Sequence, residues 1–441
     1  MSGYSASIER VVKRPFTCGC GRSHRSDLQI VRIEDKLISK IPKILERFQK
    51  KMVMMIYDPS YKEHAMKLCE SMINGNYSVR PVLLDVKRSD ETVMGQLVLS
   101  TPNDTGLLLG VGGEKVSDIV KYLSKRLKTP CALFCCTAAC DSYAMPYSKI
   151  TVGGYKRYLS SAMPTALFAD TDILNNMTPL ELRGAVAAVF SKYSALFDWR
   201  ASSIVTGSFL CEDTYDWLHK SLKAVTQEIA AEGMNGMAEK IIDCMFRFGT
   251  ACDLTGLTAP SVGSEHAIAD MLEFLAAGKR IRLLVPYSDV LGLCTYKSLA
   301  FVKNALLKAS AAEAEHLLTG FSFEKHRQEL ERVFGSRADN ILSSSEGRGL
   351  YSRQEHLRRL GEIMKKRTEL IRILNEEIVS ISDMTRAFEK TGGIMQFSRL
   401  GLSKESVIDA IIFSREIGES YGAIKLTFDL GALSLSAYAF T

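Results

Sequence analysis

The residues Pro164–Trp199, PTALFADTDILNNMTPLELRGAVAAVFSKYSALFDW, decide the fold. They begin with a short apolar run that ends at Asp170, as a buried strand does when its carboxyl end opens into a cleft. Thr178 and Glu181 then flank Pro179 in the pattern of a helix start. Thr178 supplies a capping hydroxyl, Pro179 suits the first turn, and Glu181 is the matching acid three residues after the cap. The stretch therefore predicts a buried strand, a turn and a long helix.

Length and composition narrow the class of protein. The chain has 441 residues, enough for two or three domains, and its 46% hydrophobic and 24% charged residues are typical of an ordinary globular protein. The net charge of +6 is small for this length and no dense basic block stands alone, so nucleic-acid binding is not indicated. The apolar runs are too short for a membrane span, and the N-terminus shows no signal core. We therefore expect a cytoplasmic protein, and we interpret its eleven cysteines, which form no framework, as reduced thiols.

The order of elements before and after this stretch predicts the architecture. Before it, apolar runs at 52–58, 79–84, 105–109 and 131–136 alternate with helical patterns, which is typical of a parallel sheet with right-handed crossovers. A further helix is expected over 30–49. After it, nearly all segments are amphipathic helices. We predict an N-terminal segment (1–28), an α/β dinucleotide-binding domain (29–175) and an all-helical domain (176–441), with the active cleft between the last two.

Four motifs carry a resemblance to a known family. They are GVGGEKVSD (110–118), TAACDSYA (137–144), GAVAAVFSKYSALFDW (184–199) and SVGSEHAIADMLE (261–273). Together they resemble bacterial glycerol-1-phosphate dehydrogenases of the arabinose-operon type, relatives of iron-containing alcohol dehydrogenases, glycerol dehydrogenase and dehydroquinate synthase. The resemblance implies a dehydroquinate synthase-like fold, an NAD(P) cofactor and one divalent ion (zinc, nickel or iron). The implied reaction interconverts dihydroxyacetone phosphate and sn-glycerol 1-phosphate.

The resemblance also implies the roles of individual residues in cofactor binding and catalysis. It places Asp141 and Lys192 among the catalytic residues. It assigns seven residues to the cofactor. Four belong to the glycine-rich turn that holds the pyrophosphate, namely Gly110, Gly112, Gly113 and Asp118, and the other three are Asp58, Thr137 and Cys140. Glu114 departs from the family, which has glycine there. A side chain at this position obstructs the approach of the phosphate, and a carboxylate also repels it. Without the other motifs, the glycines would indicate a tight turn and nothing more.

The metal site implied by the resemblance is incomplete. The family holds its ion with Asp, His and His, and His266 matches one of the two histidines. Ala188 and Pro286 occupy the other two positions, and neither side chain can ligate a cation. Asp289 or Asp270 is a possible substitute, although a single carboxylate beside one imidazole makes a much weaker and looser site.

Three functions remain open on this basis. The leading hypothesis is a divergent homologue whose metal-dependent hydride transfer is weakened or lost, and which keeps a cleft for a small phosphorylated polyol or nucleotide or serves in protein interactions. The alternative is an active NAD(P)-dependent polyol or polyol-phosphate oxidoreductase with a rebuilt metal site. A lyase or cyclase resembling dehydroquinate synthase ranks lowest. The family forms dimers or larger assemblies, so self-association is also expected.

A cysteine-rich segment precedes the first predicted strand. Cys18, Cys20 and His24 are three potential zinc ligands, but a complete site needs a fourth, and the sequence contains no second CxxC or HxxxH to supply it. A similar segment opens many members of the resembled family. We therefore interpret it as a sign of family membership more than as a zinc site.

Overall fold

The computed structural model describes residues 8–13, 15–48, 52–85, 89–233, 236–310, 314–347, 349–378, 381–418 and 420–440. These residues form two compact units. The first contains residues 1–185 and 211–261, and the second contains residues 186–210 and 262–441. The segment 211–261, which the sequence assigns to the helical domain, thus belongs to the first unit.

A six-stranded parallel sheet forms the centre of the first unit and confirms the predicted fold class. Its order is β3-β10-β7-β6-β4-β5. Its strands are β3 (Ile30–Glu34), β4 (Met52–Tyr57), β5 (Ser78–Leu83), β6 (Leu107–Gly112), β7 (Cys131–Cys135) and β10 (Ala166–Asp170). Every side chain of β6, β7 and β10 is buried, because a sheet covered on both faces has no solvent side.

The helices of the first unit follow the predicted alternation. They are α1 (Ile8–Lys13), α2 (Ile41–Leu45), α3 (Lys62–Asn74), α4 (Glu91–Ser100), α5 (Glu114–Leu127), α6 (Thr171–Leu174), α8 (Glu212–Glu232) and α9 (Ala238–Thr255). Two antiparallel hairpins complete the unit: β1 (Phe16–Thr17) with β2 (Ser23–His24), and β8 (Tyr147–Val152) with β9 (Tyr155–Ser160). Gly153 and Gly154 both have positive φ, as the tight turn between β8 and β9 requires.

The predicted helix over 30–49 is wrong in its first part. Residues Ile30–Glu34 form the edge strand β3, which pairs in parallel with β10 from Ala166↔Ile30 to Asp170↔Glu34. The apolar residues that indicated a helix, Ile38, Ile41, Ile44 and Leu45, lie in the 3₁₀ turn Leu37–Ser39 and in the short α2 that follow. β-branched residues at 30, 31 and 33 favour a strand once a partner strand is available, and local periodicity does not show that partner.

The predicted start of the long helix is confirmed. Helix α7 runs from Pro179 to Thr206. Glu181 accepts hydrogen bonds from the Thr178 backbone N–H and hydroxyl, each at 2.8 Å, and the Glu181 N–H returns a bond of 3.3 Å to the Thr178 oxygen. This is the reciprocal capping box that the sequence indicated.

The second unit is helical. Besides residues 186–206 of α7, it contains α10 (Ser264–Gly278), α11 (Tyr287–Lys308), α12 (Phe323–Phe334), α13 (Ala338–Gly347), α14 (Arg353–Glu376), α15 (Ile381–Lys390), α16 (Lys404–Ile417), α17 (Ala423–Asp429) and α18 (Leu433–Phe440). Helix α11 is long and apolar enough to cross a membrane, but 78% of its most apolar window is buried inside the protein. That burial is typical of a core helix, as in a globular protein.

Asp198 ties three helices of the second unit together. Its carboxylate, on α7, accepts hydrogen bonds from the Ser264 N–H (2.6 Å) and hydroxyl (2.7 Å) at the start of α10, and from the Ala423 N–H (2.7 Å) at the start of α17. Burial raises the pKa of this carboxyl to about 7, and the bonds from Ser264 and Ala423 oppose that rise. Asp198 thus satisfies helix-end N–H groups that would otherwise have no partner.

Candidate functional site

At its carboxyl edge, the sheet in the first unit has a topological switch point between β4 and β6, where successive strand connections run to opposite sides. From β4 the chain continues to β5 on one side, and from β6 it continues to β7 on the other. Open parallel sheets bind ligands at such a point. Asp58 follows β4 there, and its N–H donates to the Val111 carbonyl of β6 at 3.2 Å. The predicted cofactor residues Asp58, Gly112 and Gly113 are therefore adjacent.

Two glycines of the predicted turn are required by the space around them. Gly112 has a φ of 154°, and a Cβ added there would lie 2.9 Å from a methyl of Val116. A Cβ on Gly110 would lie 2.8 Å from Leu133 of β7 and 3.1 Å from both Val116 and Val120 of α5. Carbon atoms rarely approach one another this closely, so these glycines let α5 pack tightly against the sheet. At Gly113 the nearest atom to an added Cβ is a methyl of Thr137 at 3.4 Å, which places Thr137 beside the turn.

Helix α5 begins at Glu114, directly after Gly113. Its amino end offers backbone N–H groups and a partial positive charge, which suit a phosphate. Glu114 is exposed in the first turn, where its carboxylate already complements that charge. Burial raises the pKa of the Cys140 thiol, and the negative charge of the Glu114 carboxylate raises this pKa further. The Glu114 charge therefore acts on the loop after β7.

Asp118 and Lys121 hold the loop after β7 in place. Burial raises the pKa of the Asp118 carboxyl to about 7, although the Lys121 ammonium at 3.4 Å opposes this. Asp118 accepts from the Ser142 hydroxyl at 3.1 Å. Lys121 is fully buried and donates to the carbonyls of Ser142, Met145 (3.1 Å) and Tyr147 (2.7 Å). Asp118 therefore lies beneath the glycine turn, with its carboxylate directed into this network.

The same loop carries three other residues predicted from the sequence. Thr137 is half-buried, and its oxygen accepts from the Ala139 N–H at 3.2 Å. The buried Cys140 thiol donates to the Ser142 oxygen at 3.6 Å. Asp141 is half-buried and accepts a hydrogen bond from the Ser261 hydroxyl. The structure thus brings all the predicted cofactor residues and Asp141 together in the first unit.

A cavity of about 860 Å³ opens at the same edge of the sheet. Its walls include Tyr61 and Cys136, which follow β4 and β7, Asp170, which ends β10, and Glu181 in the first turn of α7. Tyr61 donates to Glu181 at 2.9 Å. The cavity neighbours Asp58 and Thr137 along the chain and is large enough for part of a dinucleotide.

The positions matched to the family metal site lie in the second unit. Ala188 is buried in the middle of α7, and Pro286 directly precedes α11. His266, in the first turn of α10, is buried, and its Nδ1 lies 2.7 Å from the fully buried Glu265 carboxylate. Lys192, the other predicted catalytic residue, is buried on α7.

This donor set does not fit a catalytic divalent ion. Asp270 lies one turn beyond His266 on α10 and accepts from the Tyr287 hydroxyl at 2.9 Å, while Asp289 is buried on α11. Within the described part of the chain, one group of three or more potential ligands converges within metal-binding distance, and it contains none of these residues. The predicted substitutes therefore do not complete a three-ligand site around His266.

Two residues of the first unit, Lys121 and Cys211, were not predicted from the sequence. Lys121 is one, and its signal was present, since Asp118 and Lys121 are an acid and a base three residues apart on an otherwise buried helix face. The other is Cys211, 187 residues from His24, which no local spacing connects to the cysteine-rich segment.

Comparisons with known proteins agree with this architecture. Residues 32–177 match the iron-containing alcohol dehydrogenase family. The glycerol-1-phosphate dehydrogenase (NAD(P)+) of Geobacillus thermodenitrificans is 26% identical over 274 residues, which cover 59% of this chain and 68% of that protein. The enzyme of the same name from Bacillus licheniformis is 20% identical over 436 residues, which cover 97% and 95%.

Solved structures of similar fold cover most of the chain. A putative alcohol dehydrogenase from Ralstonia eutropha superposes with a TM-score of 0.60 at 12% identity, covering 95% of this chain and 98% of that one. Glycerol dehydrogenase from Schizosaccharomyces pombe gives 0.56 at 13% identity, covering 94% and 90%. The fold is therefore that of iron-containing alcohol and glycerol dehydrogenases, and the sequence is distantly similar, at 20 to 26% identity, to glycerol-1-phosphate dehydrogenases.

Proposed function

We propose that this protein is a divergent glycerol-1-phosphate dehydrogenase homologue in which metal-dependent hydride transfer is weakened or lost. One observation carries the proposal: alanine and proline stand at two of the three positions matched to the metal ligands, Ala188 and Pro286. A divalent ion in this family polarises the carbonyl or hydroxyl carbon during hydride transfer. A lone imidazole at His266 gives such an ion too few ligands.

The cofactor side of the first unit supports retained binding of a nucleotide or a small phosphorylated ligand. The amino end of α5 presents backbone N–H groups after Gly113, and Gly112 lets that end of the helix pack closely against the sheet. Asp58 offers a carboxylate at the switch point, where a ribose hydroxyl can donate to it. Relatives named for glycerol-1-phosphate and NAD(P)+ support a phosphorylated polyol and a dinucleotide as the ligand classes.

The function is tested with purified protein, NADH or NADPH, dihydroxyacetone phosphate and added zinc or nickel. We expect no cofactor oxidation above the rate without protein. Turnover of about 1 per second or more, as in ordinary enzymes, would overturn the proposal. Such turnover would favour the second candidate, an active NAD(P)-dependent polyol-phosphate oxidoreductase. Its support is the one-turn spacing of His266 and Asp270 on α10, although these two buried side chains alone do not complete a three-ligand site.

Glu114 should weaken cofactor binding. In Glu114→Gly we expect NADH or NADPH to bind about 10-fold more tightly, because a like charge within a few ångströms of a phosphate costs on the order of 1 kcal/mol in a solvated site. Calorimetric titration measures both affinities directly. Glu114→Gln separates charge from bulk, and we expect it to recover most of the gain.

Glu324→Gly is the matched control, since Glu324 also lies in the first turn of a helix and is exposed, but belongs to the second unit. It should leave the affinity unchanged. Equal affinity in Glu114→Gly and the unmodified chain would show that the carboxylate does not oppose the cofactor.

A further inference from the structure

The cysteine-rich segment gains a fourth potential ligand in the folded chain. Cys18, Cys20, His24 and Cys211 place one ligand atom each within 4.8 Å of one another. The Cys18 sulfur lies 3.0 Å from that of Cys20, 3.4 Å from that of Cys211 and 3.1 Å from the His24 Nε2. The interpretation that no fourth ligand is available was therefore wrong, because that ligand comes from a distant part of the sequence.

We propose that Cys18, Cys20, His24 and Cys211 form a structural zinc site. Three sulfurs and one imidazole are a preferred zinc set, and a closed set of four protein ligands is typical of structural and not catalytic sites. With zinc bonds of about 2.3 Å to sulfur and 2.0 Å to nitrogen, a tetrahedron has edges of roughly 3.5 to 3.8 Å. The separations between these ligand atoms, 3.0 to 3.7 Å, are close to these edges.

The orientation of His24 agrees with a metal ligand. Its Nδ1 lies 2.7 Å from the Leu254 carbonyl, at the end of α9, where carbonyls lack helical partners. A proton on Nδ1 donated to that carbonyl leaves the Nε2 lone pair facing the three sulfurs. Zinc-bound histidines commonly hold their second nitrogen in this way.

Backbone N–H groups lie close to the sulfurs. Cys211 directly precedes α8, where the first N–H groups of the helix have no helical partners. The Cys20 N–H donates to the Cys18 sulfur at 3.4 Å. Gly21 has a φ of 76° in the turn between β1 and β2, a left-handed conformation that glycine adopts without strain. Zinc binding releases the thiol protons to solvent, and the cation offsets the repulsion between the sulfurs.

The hairpin that carries three of the ligands is too small to be stable alone. Strands β1 and β2 have two residues each, and a two-stranded hairpin is at best marginally stable even with longer strands. The Gly19 N–H donates to Asp213, in the first turn of α8, at 2.8 Å. The metal therefore fastens this hairpin to the start of α8 within the first unit.

The site is tested by the metal content of the purified full-length protein. We expect about one zinc per chain after dialysis against a weak chelator, and less than about 0.1 in Cys18→Ser and Cys211→Ser. Ser23→Ala in the same hairpin and Cys69→Ser, a buried cysteine of α3, are matched controls that should retain the zinc. His266→Ala should retain it as well, since the proposed site is independent of the second unit. Loss of zinc in His266→Ala with retention in Cys211→Ser would overturn the proposal.

A second measurement does not depend on how well the variants fold. Cobalt(II) exchanged into the unmodified chain should show thiolate charge-transfer absorption and the intense visible bands of a tetrahedral site. The circular dichroism melting temperature should fall when a strong chelator removes the metal. A Cys18–Cys20 disulfide found by mass spectrometry of freshly reduced and refolded protein, or octahedral cobalt bands, would contradict the zinc site.

Discussion

Asp198→Ala should destabilise the second unit by about 3 to 5 kcal/mol. The carboxylate accepts three hydrogen bonds, two from Ser264 and one from Ala423, and the side chain is buried. Alanine leaves these donors without partners in the interior, and each unsatisfied buried donor costs about 1 to 3 kcal/mol. Urea denaturation followed by circular dichroism measures the loss.

Two further variants show whether the hydrogen bonds cause this effect. Asp198→Asn keeps one acceptor oxygen of the same shape, so we expect a loss of about half that size. Asp216→Ala, at an exposed position of α8, should change the free energy of unfolding by less than about 0.5 kcal/mol. If Asp198→Ala were as mild as Asp216→Ala, the carboxylate would not hold the starts of α10 and α17.

Restoring the missing ligands should restore metal-dependent chemistry. In the double variant Ala188→Asp, Pro286→His, we expect binding of one additional divalent ion and a gain of at least about 100-fold in reduction of dihydroxyacetone phosphate. The reason is that a bound ion contributes several kcal/mol of transition-state stabilisation. Pro286 has a φ of −60° and lies outside the helix, so histidine can adopt its backbone conformation.

The controls for this variant use the same positions. Ala188→Asn with Pro286→His has nearly the same shape and a poorer ligand, and it should gain little. Adding His266→Ala to the double variant should abolish the gain, because the third ligand is then missing. The assay is NADH oxidation with and without zinc or nickel. An unchanged or lower rate in the double variant would favour a site rebuilt around Asp270 or Asp289.

The fold was largely predictable because its signals are local. The apolar runs of β4, β7 and β10 and the capping box at Thr178 and Glu181 depend on neighbours within a few residues, and the structure confirms them. The edge strand β3 was missed because its strand conformation depends on pairing with β10, 136 residues later. Residues 211–261 were assigned to the other part of the chain because helical composition does not reveal which core a helix joins.

The candidate sites were predictable only where one motif contains the whole arrangement. The glycine-rich turn at the end of β6 could be predicted because its residues are close together in the sequence. The hydrogen bonds of Asp118 and Lys121 to the loop at 142–147 required the structure, since they join an ordinary helix face to backbone carbonyls. The Asp198-Trp199 pair supported the resemblance, and the structure gives both residues bonding roles: Asp198 at two helix starts, and Trp199 in a 2.9 Å hydrogen bond to the Phe209 carbonyl.

The distance along the chain between His24 and Cys211, 187 residues, has a consequence for biosynthesis. At about 5 to 20 residues per second, a ribosome takes roughly 10 to 40 seconds to make the intervening segment. Throughout that interval the nascent hairpin presents two cysteines and a histidine with one coordination position unfilled. Cys211, at the start of α8, is therefore the last of the four ligands to be synthesised. The metal can bind all four ligands and fix the N-terminal hairpin only after all six strands of the sheet have been synthesised.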